Sequence, residues 1–184
     1  HHSQSLEALF YHIPGLKVIM PATARDAKGL LKTAIRDDYP VIFIEHKLLY
    51  GAEGEVPEGE YTIPFGKAAL LNEGSDCTIA SYSLMSIRSL EAARLLETEG
   101  IGCDVLDLRS LVPMDREAIL SSVRKTGRLV VVNEAVKRGS VASDIAAFVA
   151  EEAFEYLRGP IARVSGINSP IPYNTSLESA AAPR

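Results

Sequence analysis

The sequence predicts an α/β protein, a three-layer α/β sandwich built on a mainly parallel sheet. From Asp76 onward short apolar runs alternate with helical stretches at the pace of β-α units. Val41-Ile-Phe-Ile44 is apolar throughout, as a strand buried on both faces is. Gly100 and Gly127 stand where helical patterns stop.

Taken in order, Leu16 to Met20 is a short strand that Pro21 ends. Thr23 caps a helix, with Asp26 three residues on, and Ala24, Ala27, Leu30, Leu31, Ala34 and Ile35 make one apolar face. Asp37-Asp38-Tyr39-Pro40 closes that helix before the strand Val41 to Ile44. Residues 46 to 76 are acidic and rich in Gly and Pro, which reads as a linker over a surface with a short strand near Tyr61 to Ile63. Then come a strand at Cys77 to Ser81, a helix at Leu84 to Glu99 and a strand at Cys103 to Leu108. A helix begins at Pro113 and Asp115 and ends at Gly127, with Arg124 and Lys125 in its last turn. Leu129 to Val132 is a strand, Val141 to Tyr156 a helix whose apolar face is broken only by Glu152, and Ile161 to Ser165 the last strand. Ser169-Pro-Ile-Pro-Tyr173 reads as extended surface chain.

The 184 residues are 47% apolar and 23% charged, which excludes disorder. Nineteen Lys and Arg against 24 Asp and Glu give a net charge of −5, which predicts no nucleic-acid partner. No apolar run approaches the roughly 20 residues of a membrane helix. Cys77 and Cys103 lie in apolar runs and read as reduced core thiols of a cytoplasmic protein. The chain opens His1-His2-Ser3 with no Met, either as a tag remnant or because it begins inside a longer chain. A single β-α-β unit before residue 45 cannot cover its own sheet, so it resembles the tail of a domain.

The chemistry legible from residues alone is thin. No G-x-G-x-x-G, P-loop, C-x-x-C, H-E-x-x-H or G-x-S-x-G is present. His1 and His2 could move protons in a cleft, or be tag residues; His12 reads as a turn residue. His46 follows a strand, where α/β sheets carry ligands, or simply opens the linker. Glu45, Asp107 and Glu134 also end strands, as acids, bases or ion-pair members. Arg138-Gly139-Ser140 could meet an anion, or Ser140 could cap a helix. The turn Ala34-Ile35-Arg36-Asp37-Asp38-Tyr39 concentrates carbonyls and an Asp that could hold a hard cation, or water.

Several segments, in register from end to end, carry a resemblance. His2-Ser-Gln-Ser-Leu-Glu-Ala8, His12-Ile-Pro-Gly-Leu-Lys-Val18, Asp26-Ala-Lys-Gly-Leu30, Ala34-Ile-Arg-Asp37 and Glu45-His-Lys-Leu-Leu-Tyr50 are similar to one family's sequences. So are Leu111-Val-Pro-Met-Asp115, Lys125-Thr-Gly-Arg-Leu-Val130 and Ser169-Pro-Ile-Pro-Tyr173. The chain resembles the beta subunit of the thiamine-diphosphate-dependent 2-oxo acid dehydrogenases, the decarboxylating first component of the pyruvate, branched-chain and acetoin complexes.

That resemblance implies that residues 1–50 end a pyrimidine-binding domain, 51–75 link, and 76–184 form a transketolase-like carboxyl-terminal domain. It implies a fragment, with His1-His2-Ser3 native, that lacks the family's glutamate beside the aminopyrimidine and is inactive alone. The family forms an alpha2-beta2 tetramer with a contact between beta chains, and passes its acyl group to a lipoyl acyltransferase. Alpha holds the diphosphate and magnesium; beta holds the aminopyrimidine. His2 matches the family's active-site histidine, and Ala34, Ile35, Asp37 and Tyr39 match its structural potassium site. Leu9 stands where the family often has Trp, and His1 where it often has Gln, by a tag junction or a subgroup difference. Two other readings stand beside this one: an assembly module that docks alpha and the acyltransferase core, and a transketolase-class enzyme of sugar phosphates.

Overall fold

A computed structural model describes residues 3–183. In chain order it contains α1 (Glu7–Tyr11), β1 (Lys17–Ile19), α2 (Ala24–Ile35), β2 (Val41–Phe43) and a 3-10 turn at Lys47–Leu49. There follow β3 (Ala69–Asn72), β4 (Cys77–Ser81), α3 (Leu84–Thr98), β5 (Cys103–Asp107), β6 (Ser110–Val112) and α4 (Arg116–Thr126). Last come β7 (Leu129–Val136), α5 (Val141–Glu152), a 3-10 turn at Phe154–Tyr156, β8 (Ala162–Gly166) and α6 (Thr175–Ala181).

The strands make two sheets. Five strands in the order β3-β5-β4-β7-β8 are parallel except for β3, and three in the order β2-β1-β6 have β1 parallel to β2 and antiparallel to β6. Alternate residues of the larger sheet face opposite layers. Ala80, Leu106 and Val131 pack with Ile119 and Val123 of α4 and with Ile145 and Val149 of α5. Ile79 and Val105 pack with Ala93 of α3, with Leu96 and Val132 alongside. A mainly parallel sheet with helices on both faces is the architecture the alternation predicted.

The local stop and start signals act as read. Thr23 Oγ1 accepts the Asp26 amide at 3.1 Å, and Asp115 Oδ1 accepts the Ala118 amide at 3.2 Å. Gly127 ends α4 with φ +71, and its amide donates to the Val123 carbonyl.

Five expectations are corrected. Tyr61 to Ile63 is no strand: the Ile63 amide donates to the Gly29 carbonyl, Thr33 Oγ1 donates to the Ile63 carbonyl, and Tyr61 donates to that of Arg25, so the segment is strapped along α2. Gly29 permits this, since a Cβ there would stand 2.6 Å from Ile63 Cγ1. The sheet instead takes Ala69–Asn72 from the stretch read as linker. Val41–Phe43 is half-buried because it lies at a sheet edge. The helix expected to reach Tyr156 stops at Glu152, whose carboxylate turns outward to Arg116. Of the two cysteines only Cys103 is buried; Cys77, its neighbour across the parallel β4–β5 pair, is partly exposed.

β6 joins segments distant in sequence. Val112 pairs with Val18 and Ser110 with Ile19, and Ile19, Val18 and Leu111 are fully buried where they meet. The first fifty residues and the larger sheet therefore share one continuous seam.

Candidate functional site

Along that seam, polar ties fasten the amino-terminal elements to the rest. Glu7 on α1 is 1% exposed, yet Tyr82 donates to its Oε1 at 2.6 Å and Ser5 to its Oε2 at 2.7 Å. Two donors are what a buried carboxylate needs. Burial, with the Glu7 charge beside it, pushes the Tyr82 phenol well above its ordinary range. Asp26, at the start of α2, pairs with the Arg109 guanidinium at 2.7 Å. Arg109 reaches it from a left-handed backbone, φ +60, just past β5. Asp107, two residues earlier, is fully buried and accepts from Ser86 at 2.9 Å. Burial raises its pKa to about 7, with the Asp26 charge pushing the same way and the Ser86 hydroxyl and Arg109 opposing.

The third tie opens onto a cleft. His46 Nε2 lies 2.7 Å from Glu134 Oε2, joining the end of β2 to β7 across 88 positions of sequence. Both line a cleft of about 410 Å³ whose other walls include Ser3, Gln4, Met20 and Ile44. Glu45 and Glu178 stand in the same lining with Lys47, so the wall is acidic. Tyr50 donates to Glu45 at 3.2 Å, which raises the phenol's pKa. A smaller cavity of about 170 Å³ shares Glu45, His46 and Tyr50 with the larger cleft and runs to Pro21 and Ala24.

The residues singled out from sequence fall as follows. His2 lies outside the described residues, and its neighbours Ser3 and Gln4 line the larger cleft. His12 is exposed at the end of α1. His46 and Glu134 come together; Glu45 stays at the rim; Asp107 belongs to the buried tie and not to the cleft. Ser140 does not cap α5 with its side chain, since its hydroxyl donates to the Lys137 carbonyl. Arg138 and Lys137 line an open basic hollow with Arg163.

At the proposed cation turn, the Asp37 amide donates to the Ala34 carbonyl at 3.3 Å. Asp37 Oδ1 accepts the Tyr39 amide at 2.9 Å, and Oδ2 meets Lys17 Nζ at 2.5 Å. The Lys17 hydrogen bond, followed by the Tyr39 amide, holds the Asp37 pKa below its ordinary value. Among the described residues no backbone amide donates to the carbonyls of Ile35, Asp37 or Tyr39, which leaves lone pairs for a weakly hydrated ion. Sequence reasoning missed Glu7, Tyr82 and Arg109. The one local signal was an acid, Glu7, set among apolar residues.

Comparison with known proteins decides the family. The transketolase pyrimidine-binding domain matches residues 1–53, and the transketolase C-terminal domain matches residues 66–184. The chain belongs to the transketolase family. It is 54% identical over 177 residues to the beta subunit of acetoin:2,6-dichlorophenolindophenol oxidoreductase from Cupriavidus necator, covering 96% of this chain and 52% of that one. It is 48% identical over 182 residues to the pyruvate dehydrogenase E1 component subunit beta of Rickettsia conorii, covering 99% and 56%. Among solved structures it superimposes on a split-gene transketolase, an inactive beta4 tetramer, with a TM-score of 0.78, 29% identity and coverage of 95% and 55%. The chain thus spans about half the length of these relatives. Among the described residues of this transketolase-family chain, no helix is long and apolar enough to cross a membrane.

Proposed function

We propose that this chain is part of the beta subunit of a thiamine-diphosphate-dependent 2-oxo acid dehydrogenase of the pyruvate, acetoin or branched-chain type, working in the cytoplasm. The observation that carries the reading is 54% and 48% identity to acetoin and pyruvate beta subunits along almost the whole chain. The 29% identity to a transketolase is the weaker likeness.

The cofactor fits the cleft in one respect. A hollow of about 410 Å³ at the ends of β1 and β2 is the size and place for a ring to bind. Its acidic wall suits hydrogen bonding to a neutral or cationic ring and disfavours a diphosphate, which supports an alpha subunit holding the diphosphate and magnesium. Thiamine diphosphate, when bound, supplies the carbon nucleophile and the electron sink for decarboxylation. In this reading Met20 and Ile44 exclude water from one side of the cleft, and the ties at Glu7, Asp26 and His46 keep its walls in place. His2 orients the substrate and moves a proton at its imidazole. A potassium ion sits on the backbone carbonyls of Ala34, Ile35, Asp37 and Tyr39, where it stiffens the turn. The acyl product passes to a lipoyl acyltransferase, and beta chains contact each other in an alpha2-beta2 tetramer. That the split-gene transketolase is inactive as a beta4 tetramer supports the need for alpha.

The test is turnover of the full-length protein with its alpha partner. An artificial electron acceptor is followed with pyruvate, acetoin and 3-methyl-2-oxobutanoate in parallel. Cofactor-dependent turnover of one of them, reduced by a factor of about 10² to 10⁴ in His2→Ala while the tetramer survives, is the expected result. An intact tetramer silent on all three substrates overturns the reading in favour of an assembly module or of sugar-phosphate chemistry. Replacing potassium by a large organic cation is expected to lower the melting temperature of wild type.

A further inference from the structure

We infer that His46 is a positioning residue of the cleft, fixed by Glu134, and that it takes no part in proton transfer; the inference rests on the cleft being the site proposed above. Both of its ring nitrogens are already engaged. The Leu48 amide donates to Nδ1 at 3.2 Å, so Nδ1 carries no proton. The neutral ring then bears its hydrogen on Nε2, which donates to Glu134 Oε2 at 2.7 Å. Neither a free lone pair nor a free proton is left for a substrate.

The geometry uses the ring for something else. Nδ1 caps the 3-10 turn Lys47–Leu49, and Glu134 anchors the ring to β7. That turn carries Leu48 and Tyr50, 67% and 69% exposed, on the wall of the larger cleft. His46 also lines the smaller cavity, together with Glu45 and Tyr50. His46 and Glu134 therefore set Leu48 and Tyr50 at the edge of the acidic wall, where the Tyr50 phenol donates to Glu45. An edge of this kind acts on binding in the cleft more than on the chemical step.

The experiment uses the full-length protein with its alpha partner and measures steady-state kinetics together with hydrogen exchange at the Leu48 amide. His46→Ala is expected to raise KM at least about fivefold with kcat within about twofold, and to speed Leu48 exchange at least about tenfold. His46→Asn offers Oδ1 where Nδ1 was, as a good cap does, and is expected to recover Leu48 protection and most of KM. Glu134→Ala follows His46→Ala, and Glu134→Gln, which keeps an acceptor oxygen, recovers most of the loss. Wild-type KM and wild-type exchange in His46→Ala overturn the inference. So does a kcat reduced more than about tenfold in both His46 variants at constant KM, which would mark a proton-transfer group. If the wild-type enzyme turns over none of the 2-oxo substrates, the functional reading fails, and Leu48 exchange in His46→Ala against His46→Asn still decides whether His46 holds the turn.

Discussion

Asp107→Asn removes a carboxylate that is fully buried beside the Asp26–Arg109 pair. Burial lifts its pKa from 3.8 to about 7, so the folded chain keeps a proton there that the unfolded chain gives up. A raised carboxyl pKa contributes stability that is present below about pH 4 and lost as the pH climbs through about 7. Three pKa units correspond to about 4 kcal/mol, an upper bound, since relaxation and water entry soften a buried charge. In the variant, Asn Oδ1 still accepts from Ser86 and from the Arg109 amide, as the carboxylate does at 2.9 and 3.3 Å. Its amide nitrogen replaces Oδ2, which has no partner among the described residues. That group costs about 1–3 kcal/mol at every pH, so the offset between the two proteins says little and the slope says much. Urea unfolding followed by circular dichroism from pH 4.5 to 8.5 is the assay. Wild type is expected to lose ground to Asp107→Asn steadily up to about pH 7, after which the two curves run parallel. Curves parallel over the whole range would refute the reasoning: Asp107 would then ionise near its ordinary value, and the Arg109 charge would outweigh burial.

Arg109→Ala leaves Asp26, 2% exposed, without its cation, and should cost about 3–5 kcal/mol in the same unfolding assay. Tyr82→Phe strips one donor from the buried Glu7 carboxylate and leaves Ser5 as the other, a loss of about 1–3 kcal/mol readable as a lowered melting temperature. The Cys77 thiol, with its pKa pushed up to about 11 chiefly by burial and then by Cys103, should alkylate far more slowly at pH 7.5 than a free thiol and speed up as the pH is raised. Thr23→Ala removes the acceptor for the Asp26 amide and should destabilise by about 1 kcal/mol.

Local signals were legible where the deciding atoms lie within a few residues of one another. Thr23 and Asp115 cap helices through amides three positions on, and Gly127 ends α4 because its backbone accepts a positive φ. β6 escaped because three residues carry no periodicity, and its stability comes from β1, about ninety positions earlier. Tyr61 to Ile63 looked like a strand because its residues favour extended backbone. Its partner is instead the α2 helix at Gly29 and Thr33. Glu152 broke an apolar face in projection only, because the helix ends there and the carboxylate swings out to Arg116.

The sequence by itself determined the α/β class, most helix and strand positions, and, through the similarity of its segments, the kind of protein to compare it with. Those depend on composition, short-range caps and apolar spacing, which are properties of neighbours along the chain. The tertiary structure alone decided which charges meet. Glu134 finds His46, Asp26 finds Arg109 and Glu7 finds Tyr82 only after β6 has paired with β1 and the smaller sheet has packed against the larger one. Each of these groups is costly to bury unpaired, yet nothing local to it names its partner, because the partner is supplied by packing across the seam.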